Sequence, residues 1–84
     1  MKFKINNQCY FTELDDKAVV LNTSSGIYYE LDPKACYIWK MIEKNNQLEE
    51  IIDSYEKNFN VNEKNSITAV KKFIEQARDE GFIE

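Results

Sequence analysis

Histidine is absent from this 84-residue sequence, which removes the side chain that ordinarily gains and loses a proton near neutral pH. The two cysteines, Cys9 and Cys36, have no Cys or His neighbours, so the usual zinc-binding spacings are missing and neither thiol sits in a thiolate-activating motif. Two glycines, Gly26 and Gly81, are too few and too far apart for a phosphate-cradling loop. No apolar run approaches the length that spans a bilayer, and the opening MKFKINNQ lacks the apolar core of a signal peptide. Positive charge is also scarce: 11 Lys and Arg against 15 Asp and Glu give a net charge of −4. That balance disfavours nucleic acid and anionic membranes as partners and favours a protein or peptide. Together these absences predict a non-catalytic cytoplasmic protein with no metal, no cofactor and two reduced cysteines.

What is present fits one small domain over residues 1–84, near the size where a single core is only marginally sufficient. The run VVLNTSSGIYYELDPKACYIWKMIE, from Val19 to Glu43, reads as a β-hairpin feeding a helix. Ser24 and Ser25 suit the centre of a type I turn, and Gly26 suits the positive φ that closes a three-residue loop with a bulge. Asp32 can accept hydrogen bonds from the first helical turn, while Pro33 sits where its missing N–H costs nothing. Upstream, CYFTEL at Cys9 to Leu14 reads as another strand, ending at an Asp15-Asp16 turn. The expectation is a three-stranded antiparallel meander with Ile27 to Leu31 on one edge. Residues 1 to 8 either fray or add an extra edge strand.

Three helices follow. The first, from Pro33 to about Lys44, places Ala35, Ile38, Trp39 and Ile42 on a core-facing side, with Trp39 as a core anchor. Asn46 and Glu49 read as the capping box of a second helix carrying Leu48, Ile51, Ile52, Tyr55 and Phe59. Asn62 caps a third helix that ends at Gly81. On it Ile67, Val70, Phe73, Ile74 and Ala77 share one apolar arc, and Lys64, Lys71 and Arg78 line a rim of that arc. The fold class is therefore α+β, a meander followed by three helices in a winged-helix-like arrangement. That arrangement raises DNA binding, but charge argues against it. The basic residues of the third helix, Lys64, Lys71, Lys72 and Arg78, are matched by Glu63, Glu75, Asp79 and Glu80, and the second helix is acidic.

The ordered set of VVLNTSSGIYYELDPKACYIW, QLEEIIDSYEKNFNV, an amphipathic helix and EGFIE resembles the PQQ-biosynthesis protein D family over roughly residues 9 to 84. The resemblance implies a recognition element for ribosomally synthesised, post-translationally modified peptides. It implies that the precursor's leader adds as an antiparallel strand to Ile27, Tyr28, Tyr29, Glu30 and Leu31. Leader side chains would pack on Ile67, Val70, Lys71, Ile74 and Arg78, with Lys64 at the end of the row. The partner enzyme implied is a radical S-adenosylmethionine maturase or a lasso-peptide leader peptidase and cyclase, a discrete partner of that kind being favoured over PQQ synthesis itself. The residues themselves keep a second reading open. IYYEL has no Pro and only Glu30 as a charge, so the same poorly guarded edge also suits a homodimer.

Overall fold

Strands and helices follow one another in the expected order: β1 (Cys9–Glu13), β2 (Ala18–Asn22), β3 (Ile27–Leu31), α1 (Pro33–Glu43), α2 (Leu48–Phe59) and α3 (Glu63–Asp79). The computed structural model describes residues 3–15 and 17–84. The strands form one antiparallel sheet in the order β1-β2-β3. Its register aligns Phe11, Val20 and Tyr29 in one cross-strand row and Tyr10, Leu21 and Tyr28 in the next. Successive side chains alternate between faces, so the first row turns toward the helices and the second toward solvent. Val20 is buried, whereas Tyr10 and Tyr28 are exposed.

The β2–β3 loop is one residue longer than the turn chemistry predicts. Asn22 pairs with Ile27, which leaves residues 23–26 as the loop, closed by Gly26 N donating to Asn22 O at 2.8 Å. Thr23 is drawn out of the expected pairing because its N and Oγ1 each donate to Gln8 O at 2.9 Å. Gly26 does adopt the left-handed conformation, with φ +77°. At the other turn Leu14 N donates to Lys17 O at 2.7 Å. The turn expected at Asp15 and Asp16 falls there, with Asp16 outside the described residues.

Helix α1 begins as the sequence indicates, Asp32 Oδ1 accepting from Ala35 N at 2.8 Å ahead of Pro33. Ile38, Trp39 and Ile42 are buried, and the Trp39 ring lies nearly parallel to that of Phe11, 6.2 Å away. Tyr37, off the face that carries Ile38, Trp39 and Ile42, joins α1 to α2. It meets Phe59 edge-on at 5.3 Å and hydrogen-bonds Ser54.

The cap of α2 differs by one residue from the expectation. Asn45 takes a left-handed φ of +63°, which uses up a residue in the connection and moves the N-cap from Asn46 to Gln47. Gln47 N then donates to Glu50 Oε1 at 2.7 Å, and Asn46 Nδ2 turns back to Met41 O at 2.9 Å. Helix α3 starts at the predicted cap, with Asn62 Oδ1 accepting from Asn65 N at 2.8 Å, and Gly81 leaves it at φ +80°. Buried Ser66 donates to Ile52 O at 2.6 Å, tying α3 to α2 with no polar atom left over on its side chain.

Met1 and Lys2 fall outside the described residues, and residues 3–8 do not add to the edge of β3. They pair with the end of the chain: Ile5 bridges Ile83, Asn6 N donates to Phe82 O at 3.0 Å, and Glu84 N donates to Lys4 O at 2.8 Å. Phe3, Phe82 and Ile83 thereby join the core. Among the described residues no helix is long and apolar enough to cross a membrane.

Candidate functional site

Strand β3 pairs with β2 on one side only, so among the described residues its outer N–H and C=O groups have no ladder partner. Soluble proteins usually guard such an edge with Lys, Pro or a bulge. Here Ile27 and Tyr28 are exposed, 45% and 65% respectively, and the one charge on the strand, Glu30, is engaged with Lys17 at 3.3 Å. Beside this edge a cavity of about 190 Å³ opens between β3 and α3. Val20, Leu31, Trp39 and Phe82 make its apolar interior, and Phe73 and Ala77 form its helical wall. Gln76 spans the gap from α3, its Nε2 donating to Tyr29 OH on β3. Phe82 meets the Tyr29 ring edge-on at 5.5 Å, so the C-terminal tail is part of this wall.

The five strand positions expected for binding come together: Ile27, Tyr28 and Glu30 are exposed along the edge, Tyr29 is half-buried in the cavity wall, and Leu31 is buried in its interior. The helix positions do not join them. Val70 and Ile74 are core residues. Lys71, Ile74 and Arg78 border Phe3 and Leu48 in a separate depression, where the Arg78 guanidinium lies 5.9 Å from the centre of the Phe3 ring. Lys64 and Ile67 line a shallow surface at the start of α3 with Asn62 and Thr68. At about 100° per residue, Lys71 and Arg78 stand roughly a third of a turn or more from Phe73 and Gln76. The basic rim is thus on the other border of the apolar stripe from the cavity. The charges nearest the cavity are those of Glu30 and Asp32, which belong to its lining.

Helical spacing puts Phe73 and Ala77 on the apolar arc without tying them to β3, and it does not mark Gln76 or Phe82 at all. A polar residue inside a mixed helix face carries no periodic signal, and Phe82 reaches the site only because Gly81 reverses the chain after α3. The spacing on α1 predicts Trp39 as a core anchor. It is one, and it also forms part of the cavity.

Both cysteines are free and half-buried. Burial pushes the Cys9 thiol above its ordinary pKa. Burial also raises Cys36, against a smaller opposing effect of Lys40. No cluster of three or more His, Cys, Asp or Glu side chains that could hold a metal ion occurs among the described residues.

An open sheet edge running beside an apolar, helix-walled cavity defines the class: a small α+β domain with an unpaired strand next to a side-chain-sized cavity. The sequence pattern of the family described as coenzyme PQQ synthesis protein D (PqqD) matches residues 17–83, and the chain belongs to that family. No curated protein matches it in sequence. Among solved structures it is similar to TbiB1 in complex with the TbiA(beta) leader peptide, with a TM-score of 0.91 and 25% identity over 96% of this chain and 94% of that one. It also shares the fold of a lasso peptide synthetase B1 complexed with the leader peptide, with a TM-score of 0.92 and 14% identity over 100% of this chain and 99% of that one.

Proposed function

We propose that this domain binds the leader of a ribosomally synthesised precursor peptide as an added antiparallel strand on β3 and presents it to a modifying enzyme, without doing chemistry itself. The observation that carries this reading is the unpaired edge of Ile27–Leu31 lying next to the β3–α3 cavity. The likeness to TbiB1, solved with a leader peptide, supports it. The recognition mode is strand addition, in which main-chain bonds hold the peptide and pockets select its side chains.

Magnitudes divide the labour between edge and cavity. Four or five ladder hydrogen bonds at a net ~1 kcal/mol each roughly offset the cost of ordering a disordered peptide. Selective binding therefore depends on apolar anchors, each contributing about 1.5–3 kcal/mol when buried. In this reading β3 with Phe73, Gln76 and Ala77 forms the leader groove, and the Lys64, Lys71 and Arg78 row lies outside it. The partner enzyme is a lasso-peptide leader peptidase and cyclase or a radical S-adenosylmethionine maturase. Tethering the precursor raises its effective concentration at that enzyme, so a non-catalytic domain still accelerates the reaction.

The test is a heteronuclear NMR titration of the labelled domain with the leader segment of a short precursor encoded beside its gene. Saturable shifts at the amides of Ile27–Leu31 and of Phe73, Gln76 and Ala77 are expected. Amides at both places that stay unmoved at millimolar leader would overturn the reading. A mass that doubles with concentration, with the same β3 amides shifting in the absence of peptide, would instead assign the edge to a homodimer.

A further inference from the structure

Hydrogen bonds at the two ends of the sheet fix which main-chain groups of β3 are open. Leu14 N donates to Lys17 O at 2.7 Å and Thr23 N donates to Gln8 O at 2.9 Å, and each extends the β1–β2 register by one pair. In an antiparallel ladder bonded pairs alternate with non-bonded ones, so successive residues of a strand turn their N–H and C=O to opposite sides. Lys17, Val19, Leu21 and Thr23 therefore bond toward β1, which leaves Ala18, Val20 and Asn22 to bond toward β3. Gly26 N donating to Asn22 O agrees with that phase. Across the β2–β3 register those three residues face Leu31, Tyr29 and Ile27. The main-chain groups of Tyr28 and Glu30 thus point to the unpaired side. The open stretch is bounded at both ends. Before it Gly26 N is held by Asn22 O, and after it Asp32 O accepts from Cys36 N at 2.8 Å and Pro33 has no N–H.

We infer that β3 reads a three-residue segment of the leader in one register: its first and third residues bond Glu30 and Tyr28 through their main chains, and its second turns its side chain to Tyr29 and Gln76. This rests on the leader-binding reading and names the pattern the leader must carry. An antiparallel strand runs against β3, so the residue facing Glu30 comes first. In a bonded antiparallel pair each residue both gives and takes an N–H. The first and third leader residues therefore need a free N–H, which excludes proline at both. Directly opposed side chains share a face, so these two join Glu30 and Tyr28 on the solvent side. There the row that already aligns Tyr10, Leu21 and Tyr28 favours an aromatic or β-branched third residue. A carboxylate is disfavoured at the first, because like charges directly opposite repel. The second residue points to the helix side, against Tyr29, which is half-buried and hydrogen-bonded to Gln76. Its own N–H points away from β3, so that nitrogen tolerates a substituent.

Amide hydrogen exchange tests the phase of the edge, first on the labelled domain alone and then with the leader segment of the short precursor encoded beside its gene. In the free domain the amides of Tyr28 and Glu30 should exchange faster than those of Tyr29 and Leu31. At saturating leader, Tyr28 and Glu30 should gain protection of about tenfold or more while Tyr29 and Leu31 change little. A scan of the leader with single backbone N-methyl groups should find two sensitive positions, two residues apart, each weakening binding by about fivefold or more. An alanine scan should find its sensitive position between them. This alternation is the signature of antiparallel addition, because a parallel strand would put the bonded N–H groups and the helix-facing side chains on the same residues.

Equal exchange at all four amides of the free domain would overturn the register before any leader is added. Protection gained at Tyr29 and Leu31 instead, or two leader scans that coincide in phase, would overturn the register and leave leader binding standing. A leader that shifts no β3 amide would overturn the leader-binding reading itself, and the register with it.

Discussion

Lys71 and Phe73 are two positions apart on α3 and serve different surfaces. Phe73 walls the cavity beside β3, whereas Lys71 borders Phe3 and Leu48. Truncating Phe73→Ala removes apolar area from the groove, and at about 1.5–3 kcal/mol for a buried aromatic anchor the leader should bind at least about tenfold more weakly by calorimetry. Reversing charge with Lys71→Glu and Arg78→Glu should leave affinity within about twofold, because exposed charges outside an interface contribute little. The opposite ranking would move the groove to the basic face. The stripe on α3 was legible in the sequence, since Val70, Phe73, Ile74 and Ala77 recur at helical spacing. The border of the stripe that faces β3 was not. Both borders of an amphipathic helix look alike in one dimension, and the Lys64, Lys71 and Arg78 row lies on the border away from the β3 cavity. Arg78 is explained by the Phe3 ring 5.9 Å away, a contact between residues 75 positions apart that no local pattern announces.

The elements were legible where backbone chemistry is local. Strand β3 and the start of α1 follow from alternation in IYYEL and from Asp32-Pro33, and both fall where expected. Helix α3 starts at Asn62 for the same reason: its side chain takes an otherwise unpaired N–H. Asn62→Ala should cost ~1 kcal/mol of stability, read as a lower urea midpoint at unchanged slope. The cap of α2 slipped by one, from Asn46 to Gln47, because the left-handed turn at Asn45 takes up a residue of the connection, which helical spacing alone does not reveal. The segment from Phe3 to Gln8 was ambiguous for a different reason. Its partner is the tail after Gly81, and pairing across nearly the whole chain leaves no trace in the periodicity of either piece.

For the whole molecule, the absent histidine and the raised thiols determine how stability varies with pH. With no imidazole in the chain, the side chain that most often titrates near neutrality is missing, and the urea midpoint should change little between about pH 6 and 8. At higher pH the unfolded chain loses its thiol protons first, because Cys9 and Cys36 are raised in the fold. The folded state then holds more protons than the unfolded one, so the thiols' contribution to stability falls as pH climbs through the unfolded thiol range near about 8.5 and levels off above their folded values, and the Tyr55 phenol, also raised by burial, adds to the decline at higher pH. A double Cys9→Ala and Cys36→Ala variant should show a shallower decline in the same measurement. The pairing of Ile5 with Ile83 has a topological consequence. It brings the first and last described segments side by side, so the path of the chain is nearly a closed ring, opened at one place on the surface. A domain of that form can be reopened at an exposed connection such as the Asn45 turn, or spliced into a single loop of a larger enzyme, with little change to the groove because entry and exit share one doorway.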